Sequence, residues 1–179
     1  MRVELPFEPF AGLLGRAALL ATLFRETDRV QRSKQPLSLV LFAIDDSEHW
    51  TARLAKPQWS KVLRTIVERI GGSLRSYDTF GQTGAQEFLL ILPGCSILNA
   101  TLLAERLRGE AFTTPIVAEN DSLLLTACFG IATSEGRSPI VVLREAEVAL
   151  QRAQEGGLES IETFTNSLLG EIEPIEFLS

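Results

Sequence analysis

Between Ser76 and Leu92 the chain reads Ser-Tyr-Asp-Thr-Phe-Gly-Gln-Thr-Gly-Ala-Gln-Glu-Phe-Leu-Leu-Ile-Leu. Two strand-like segments, Ser76 to Thr83 and Gln86 to Leu92, flank Gly84-Ala85, the spacing of a two-residue hairpin. Glycine at the first central position suits a type II′ turn, in which only that residue needs a positive φ, so Ala85 is tolerable at the second. Its methyl would nevertheless crowd a ligand resting on the turn.

Outward from this hairpin the pattern alternates helix and strand. Upstream, Val62, Leu63, Ile66, Val67 and Ile70 keep helical spacing, and Gly71-Gly72 supply left-handed residues to stop the helix. Before that, Leu37 to Ile44 is a nearly unbroken apolar run closed by Asp45-Asp46, as expected of a strand buried on both faces. Ala11 to Arg32 forms a leading helix. Downstream, Pro93-Gly94 breaks the second strand, and Ser96 caps a helix whose buried stripe includes Leu98, Leu102, Leu103 and Leu107. Ser122 to Ala132 reads as a strand, with a shorter one near Ile116-Val117. Ser138-Pro139 opens a helix burying Val142, Leu143, Ala146, Ala149, Leu150 and Ala153, and Gly156-Gly157 ends it. Ser160 to Phe164 is the last strand. This order is that of an α/β sheet domain over residues 1–164. Residues 165–179 form an acidic tail without a periodic pattern.

The 179 residues, 45% hydrophobic, suffice for one core. Lys plus Arg number 17 and Asp plus Glu 23, giving a net charge of -6. Such a balance argues against DNA, RNA or an anionic membrane surface as partner, and an anionic ligand would need a local basic pocket. Cys95 and Cys128 have neither metal-ligand spacing nor a disulfide framework and read as packing residues. No run of about 18 apolar residues and no signal-peptide start occurs, so the expectation is a cytoplasmic protein without membrane insertion.

Six stretches, in order, carry a family resemblance. They are Glu8-Pro-Phe-Ala-Gly-Leu-Leu-Gly-Arg16, Leu41-Phe-Ala-Ile-Asp45, Gly84-Ala-Gln-Glu-Phe88, Ala104-Glu-Arg-Leu-Arg108, Cys128-Phe-Gly-Ile-Ala132 and Ala146-Glu-Val-Ala-Leu150. Together they resemble the GGDEF family of diguanylate cyclases from about Glu8 to Phe164. The resemblance implies a central sheet of about five strands flanked by helices, related to nucleotidyl cyclase domains.

It also implies an eroded active site. Family cyclases hold Mg²⁺ with the first Asp of D-I-D and the acidic third residue of G-G-D-E-F, because phosphoryl chemistry is mostly positioning and charge neutralisation. The matching positions here are Ala43 and Gln86. The signature Gly84, Ala85, Gln86, Glu87, Phe88 is therefore degenerate, although Asp45 and Glu87 remain as strand-end and hairpin acids. Glu48, Thr51, Gln154 and Gly157-Leu158-Glu159 replace further family contacts. The expectation is a non-enzyme without cofactor or metal.

Many family members carry an R-x-x-D inhibitory site for cyclic-di-GMP just before the hairpin. Arg75-Ser-Tyr-Asp78 falls in that register, and Arg106 stands where a second inhibitory arginine lies in the A-E-R-I-R helix. Arg25-Glu-Thr-Asp28 has the same spacing but the wrong place. A guanidinium forks to the O6 and N7 edge of guanine, stacks on purines and answers phosphate, while Asp78 can accept from guanine N1 and N2 or hold the arginine. The bland alternative is an exposed salt bridge worth about 0–1 kcal/mol and a solvated helix arginine. Tyr77 could stack on a ligand or, as a strand residue, point into the core. The expectation is thus a cyclic-di-GMP receptor using Arg75, Asp78 and Arg106 and signalling to a protein partner, with a homodimer left open. The competing readings are a ligand-free interaction module, served by helices or tail, and a residual GTP binder or slow cyclase.

Overall fold

The computed structural model describes residues 8–10 and 12–164, so the tail at 165–179 lies outside the described residues; the leading helix expected from Ala11 begins only at Arg16, after Gly15. Strand β1 (Leu37–Ile44) is buried along its whole length, as its nearly unbroken apolar run predicts. It is the middle strand of a five-stranded sheet and pairs antiparallel with β3 (Glu87–Pro93) on one edge and β6 (Ala127–Ser134) on the other. Strand β2 (Thr79–Gly84) extends the sheet beyond β3, and β7 (Ile161–Thr163) lies parallel to β6 at the opposite edge.

Alternation along the strands divides the core into two layers. Val40, Phe42 and Ile44, with Phe88, Leu90, Phe129 and Ile131, face α3 (Lys56–Gly71) and α4 (Ile97–Leu107). Phe42 stacks between Phe88 and Phe129, at centroid distances of 5.1 and 5.4 Å. Leu39 and Leu41, with Leu89, Ile91 and Ala132, face α1 (Arg16–Ser33) and α5 (Pro139–Gly156). The expected α/β architecture, a five-stranded central sheet flanked by helices, is what forms.

Several local expectations are corrected. The hairpin turn is Ala85-Gln86 rather than Gly84-Ala85, because Gly84 still pairs with Glu87 and a bulge at Thr83 absorbs the offset. None of Gly84, Ala85 and Gln86 has a positive φ, so the turn is not type II′. Ser76 to Asp78 is a turn ahead of β2 rather than part of it. The run from Ser122 to Ala132 splits into β5 (Asp121–Leu123), which pairs with β4 (Ile116–Ala118) in a separate hairpin, and β6. A short helix, α2 (Ser47–Arg53), was not expected, and it buries no side chain. Gly72 closes α3 in a right-handed conformation, without the left-handed cap expected of Gly71-Gly72. In α4 the buried stripe is Ala100, Ala104 and Leu107, leaving Leu98 and Leu102 exposed. Ser96 does cap α4, accepting from Asn99 N at 3.2 Å. Among the described residues no helix is long and apolar enough to cross a membrane.

Candidate functional site

The turn before β2 is built by its own polar ends. Asp78 N donates to Arg75 O at 3.0 Å, and the Asp78 carboxylate accepts from Arg75 N at 2.8 Å, the self-closing geometry that short acidic side chains favour. The same carboxylate takes Arg75 Nε at 3.2 Å and Nη2 at 2.9 Å, a bidentate fork. Nη2 also donates to Pro93 O at 3.2 Å, and the guanidinium lies 4.4 Å over the Tyr77 ring. The Asp78 side chain is 2% exposed and that of Arg75 42%, so a buried acid anchors a guanidinium that reaches solvent. That hydrogen-bonded acid raises the Arg75 pKa, against a smaller opposing effect of burial.

Arg106, on α4, donates Nη2 to Ser73 O at 3.1 Å, which sets its head beside the same turn. Arg75, Asp78 and Arg106 line one cleft of about 350 Å³ together with Ser73, Asn99 and Leu102. The three residues singled out in the sequence are therefore brought together. Arg75 Nη1 makes no hydrogen bond among the described residues, and neither do Arg106 Nε and Nη1. The cleft thus offers uncommitted guanidinium donors, two small polar side chains and an apolar wall, a set suited to a planar, anionic ligand. Cys95 also lines it, and burial pushes its thiol pKa up.

Sequence reasoning missed Ser73, Asn99 and the role of Leu102. The register of Arg106 could have found Leu102, one turn earlier on the same helix face. Tyr77, expected on a strand, sits in the turn and is exposed. In the other R-x-x-D stretch Arg25 approaches Glu26 rather than Asp28, so no fork forms there.

At the signature, Ala43, the last residue but one of β1, lies opposite Glu87, and Gln86 O accepts from Ile44 N at 3.2 Å. The Gln86 Oε1 atom is buried without a hydrogen-bond partner. Glu87 accepts from Thr83 Oγ1 at 2.8 Å. Asp45 is committed three times over: its carboxylate accepts from Thr126 Oγ1 at 2.6 Å, Cys128 Sγ at 3.1 Å and Glu159 N at 3.0 Å. It ties the end of β1 to the start of β6 and to the loop before β7. Where a divalent cation would need carboxylates, these positions supply a methyl, an amide and an acid already hydrogen-bonded within the fold, which does not fit such an ion. Among the described residues no group of three or more His, Cys, Asp or Glu is arranged to hold a metal.

The chain belongs to the GGDEF family: the family model described as diguanylate cyclase, GGDEF domain, matches residues 7–160. The diguanylate cyclase DgcP of Pseudomonas aeruginosa is 31% identical over 156 residues, which cover 87% of this chain and 23% of that protein. The response regulator PleD of Caulobacter vibrioides is 23% identical over 158 residues, covering 86% of this chain and 35% of that protein. The chain thus spans only a quarter to a third of the length of these relatives. Among solved structures, the diguanylate cyclase SiaD of P. aeruginosa, crystallised with its activator SiaC, superposes with a TM-score of 0.81 at 28% identity, covering 87% of this chain and 60% of that one. The GGDEF domain of DgcB from Caulobacter crescentus, crystallised with c-di-GMP, gives a TM-score of 0.82 at 20% identity, covering 88% and 92%.

Proposed function

We propose that this GGDEF domain is a cyclic-di-GMP receptor rather than a cyclase, binding the dinucleotide through Arg75, Asp78 and Arg106 and passing occupancy to a partner protein in the cytoplasm. The observation that carries this reading is the single cleft joining those three residues. Asp78 fixes the Arg75 fork, so the uncommitted Nη1 edge can meet a guanine edge or a phosphate at little entropic cost. Arg106 supplies the second charge needed to match two phosphates. DgcB, a domain of the same fold, has been crystallised with this ligand, and SiaD with a protein activator. The absence of turnover is supported by the side chains at Ala43 and Gln86 and by the hydrogen bonds that occupy Asp45.

Calorimetric titration of the protein with cyclic-di-GMP, beside an Arg75→Ala variant and an assay for product from GTP and Mg²⁺, tests the proposal. Low-micromolar binding near two nucleotides per chain, lost in the variant, with no product, is expected. Product formation would overturn the non-catalytic half. Absence of heat at high protein concentration would overturn the receptor half and favour a ligand-independent interaction module.

A further inference from the structure

Tyr77 sits in the turn between Arg75 and Asp78 with its side chain half exposed, and the Arg75 guanidinium lies 4.4 Å over its ring. Core packing therefore does not account for an aromatic residue here. Arg75 and Asp78 line the arginine cleft, whereas Tyr77 does not. Ring and cleft thus take different sides of one guanidinium.

The bonds that hold Arg75 leave one motion open. Nε and Nη2 are tied to the Asp78 carboxylate at 3.2 and 2.9 Å, and Nη2 also to Pro93 O at 3.2 Å, while none of these bonds engages Nη1. Bonds confined to Nε and Nη2 act as a hinge, and tipping of the Nη1 end out of plane is the motion they resist least. A ring against one face blocks that tipping on its own side, and attraction between the cation and the negative face of the ring keeps the plane seated on it.

We infer that Tyr77 is a positioning residue: its ring backs the Arg75 guanidinium from outside the cleft and so holds the Nη1 donor and the opposite face of the group towards the ligand. The role rests on the cyclic-di-GMP reading of the cleft and goes beyond it, because Tyr77 acts through Arg75 and does not touch the nucleotide. An arginine held in its binding orientation beforehand loses less freedom when the ligand arrives. Arg106 has no such backing among the described residues, being held through Nη2 to Ser73 O alone. The attraction belongs to the ring face, so the phenol hydroxyl is dispensable and phenylalanine should serve equally. With both partners partly exposed, the contribution corresponds to about two- to fivefold in affinity.

Calorimetry with cyclic-di-GMP on the full chain and on Tyr77→Leu and Tyr77→Phe variants, beside NMR of the Arg75 side chain in the free proteins, tests this role. Tyr77 is 49% exposed in a turn, so neither substitution opens the core. Tyr77→Leu should bind about two- to fivefold more weakly, and Tyr77→Phe should match the native protein. The Arg75 δ and ε protons, shielded by the ring in the native protein and in Tyr77→Phe, should move downfield in Tyr77→Leu. Native affinity in Tyr77→Leu would overturn the inference, and so would a Tyr77→Phe variant as weak as Tyr77→Leu, which would assign the effect to the hydroxyl. Weakened binding with the Arg75 protons unmoved would overturn it as well, by making Tyr77 a direct ligand contact. Absence of binding by the native protein is a separate result, which would remove the receptor reading and this role together.

Discussion

Arg75 does two things with one planar group: its Nε and Nη2 edge is spent on Asp78 and Pro93, and its Nη1 edge is left for a ligand. A lysine there would keep the charge and lose the fork, so Arg75→Lys should weaken cyclic-di-GMP binding by roughly tenfold or more, measured by calorimetry. Wild-type affinity in that variant would mean that only charge is read. Two glycines make a second residue-scale test. A Cβ at Gly130 would lie 2.7 Å from Leu150 Cα and press on the backbone of α5 at Ala146, whereas the nearest atoms to one at Gly81 belong to the side chain of Leu19. Gly130→Ala should therefore cost about 1–3 kcal/mol or more and Gly81→Ala less, as read from denaturant midpoints. Equal losses would contradict the rigid contact between α5 and β6. At this scale the gathering of Arg75, Asp78 and Arg106 into one cleft was expected from the register of the family resemblance, whereas the turn between Arg75 and Asp78 was read as strand from Ser76. Ser73 and Asn99 were not legible, since small polar residues on helix ends carry no pattern of their own.

Helix α4 shows where element reading succeeds and fails. Its start was legible because a serine before an apolar run has a specific capping chemistry, and the Ser96 hydroxyl accepts from Asn99 N. Ser96→Ala should lower stability by about 1 kcal/mol, seen as a drop in melting temperature. Its face was misread because hydrophobicity weights Leu98 and Leu102 over Ala100 and Ala104. The close helix-to-sheet packing selects the alanines, with both side chains fully buried. The displaced leucine at 102 becomes a wall of the Arg75 cleft. Beyond α4 the chain passes through a π-helical turn, Arg108–Phe112, whose end carbonyls need partners. Arg69, from α3, donates to Ala111 O at 3.0 Å, Thr114 O at 2.8 Å and Pro115 O at 3.2 Å. Arg69→Ala should cost about 1–2 kcal/mol. It should also raise hydrogen exchange at residues 113–116 selectively, and a uniform rise would deny the clamp. The split of β5 from β6 escaped sequence reading because the connecting Leu124-Leu125-Thr126 is itself apolar, with Leu125 buried.

For the whole molecule, the thiol of Cys128 sets a limit at alkaline pH. Burial, with the adjacent Asp45 carboxylate adding to it, pushes its pKa from 9.0 up to about 11. The folded value lies above the unfolded one, so this contribution to stability is complete below pH 9.0 and is lost as pH rises through about 11. Denaturant titrations across that window should show a decline that Cys128→Ala flattens; an identical decline in the variant would place its origin elsewhere. The overall architecture was legible because β1, apolar at every position but Ser38 and buried along its whole length, reads as a central strand. That same centrality governs how the chain comes together in time. Strand β1 pairs with β3 on one edge and with β6 on the other, and β6 ends about 40 residues after β3. At ribosomal rates of about 5–20 residues per second, the second edge stays open for roughly 2–8 s after the first has closed. During synthesis, then, an unpaired apolar edge waits for its partner, and a nascent chain stalled in that interval would be the form most prone to pair with its neighbours.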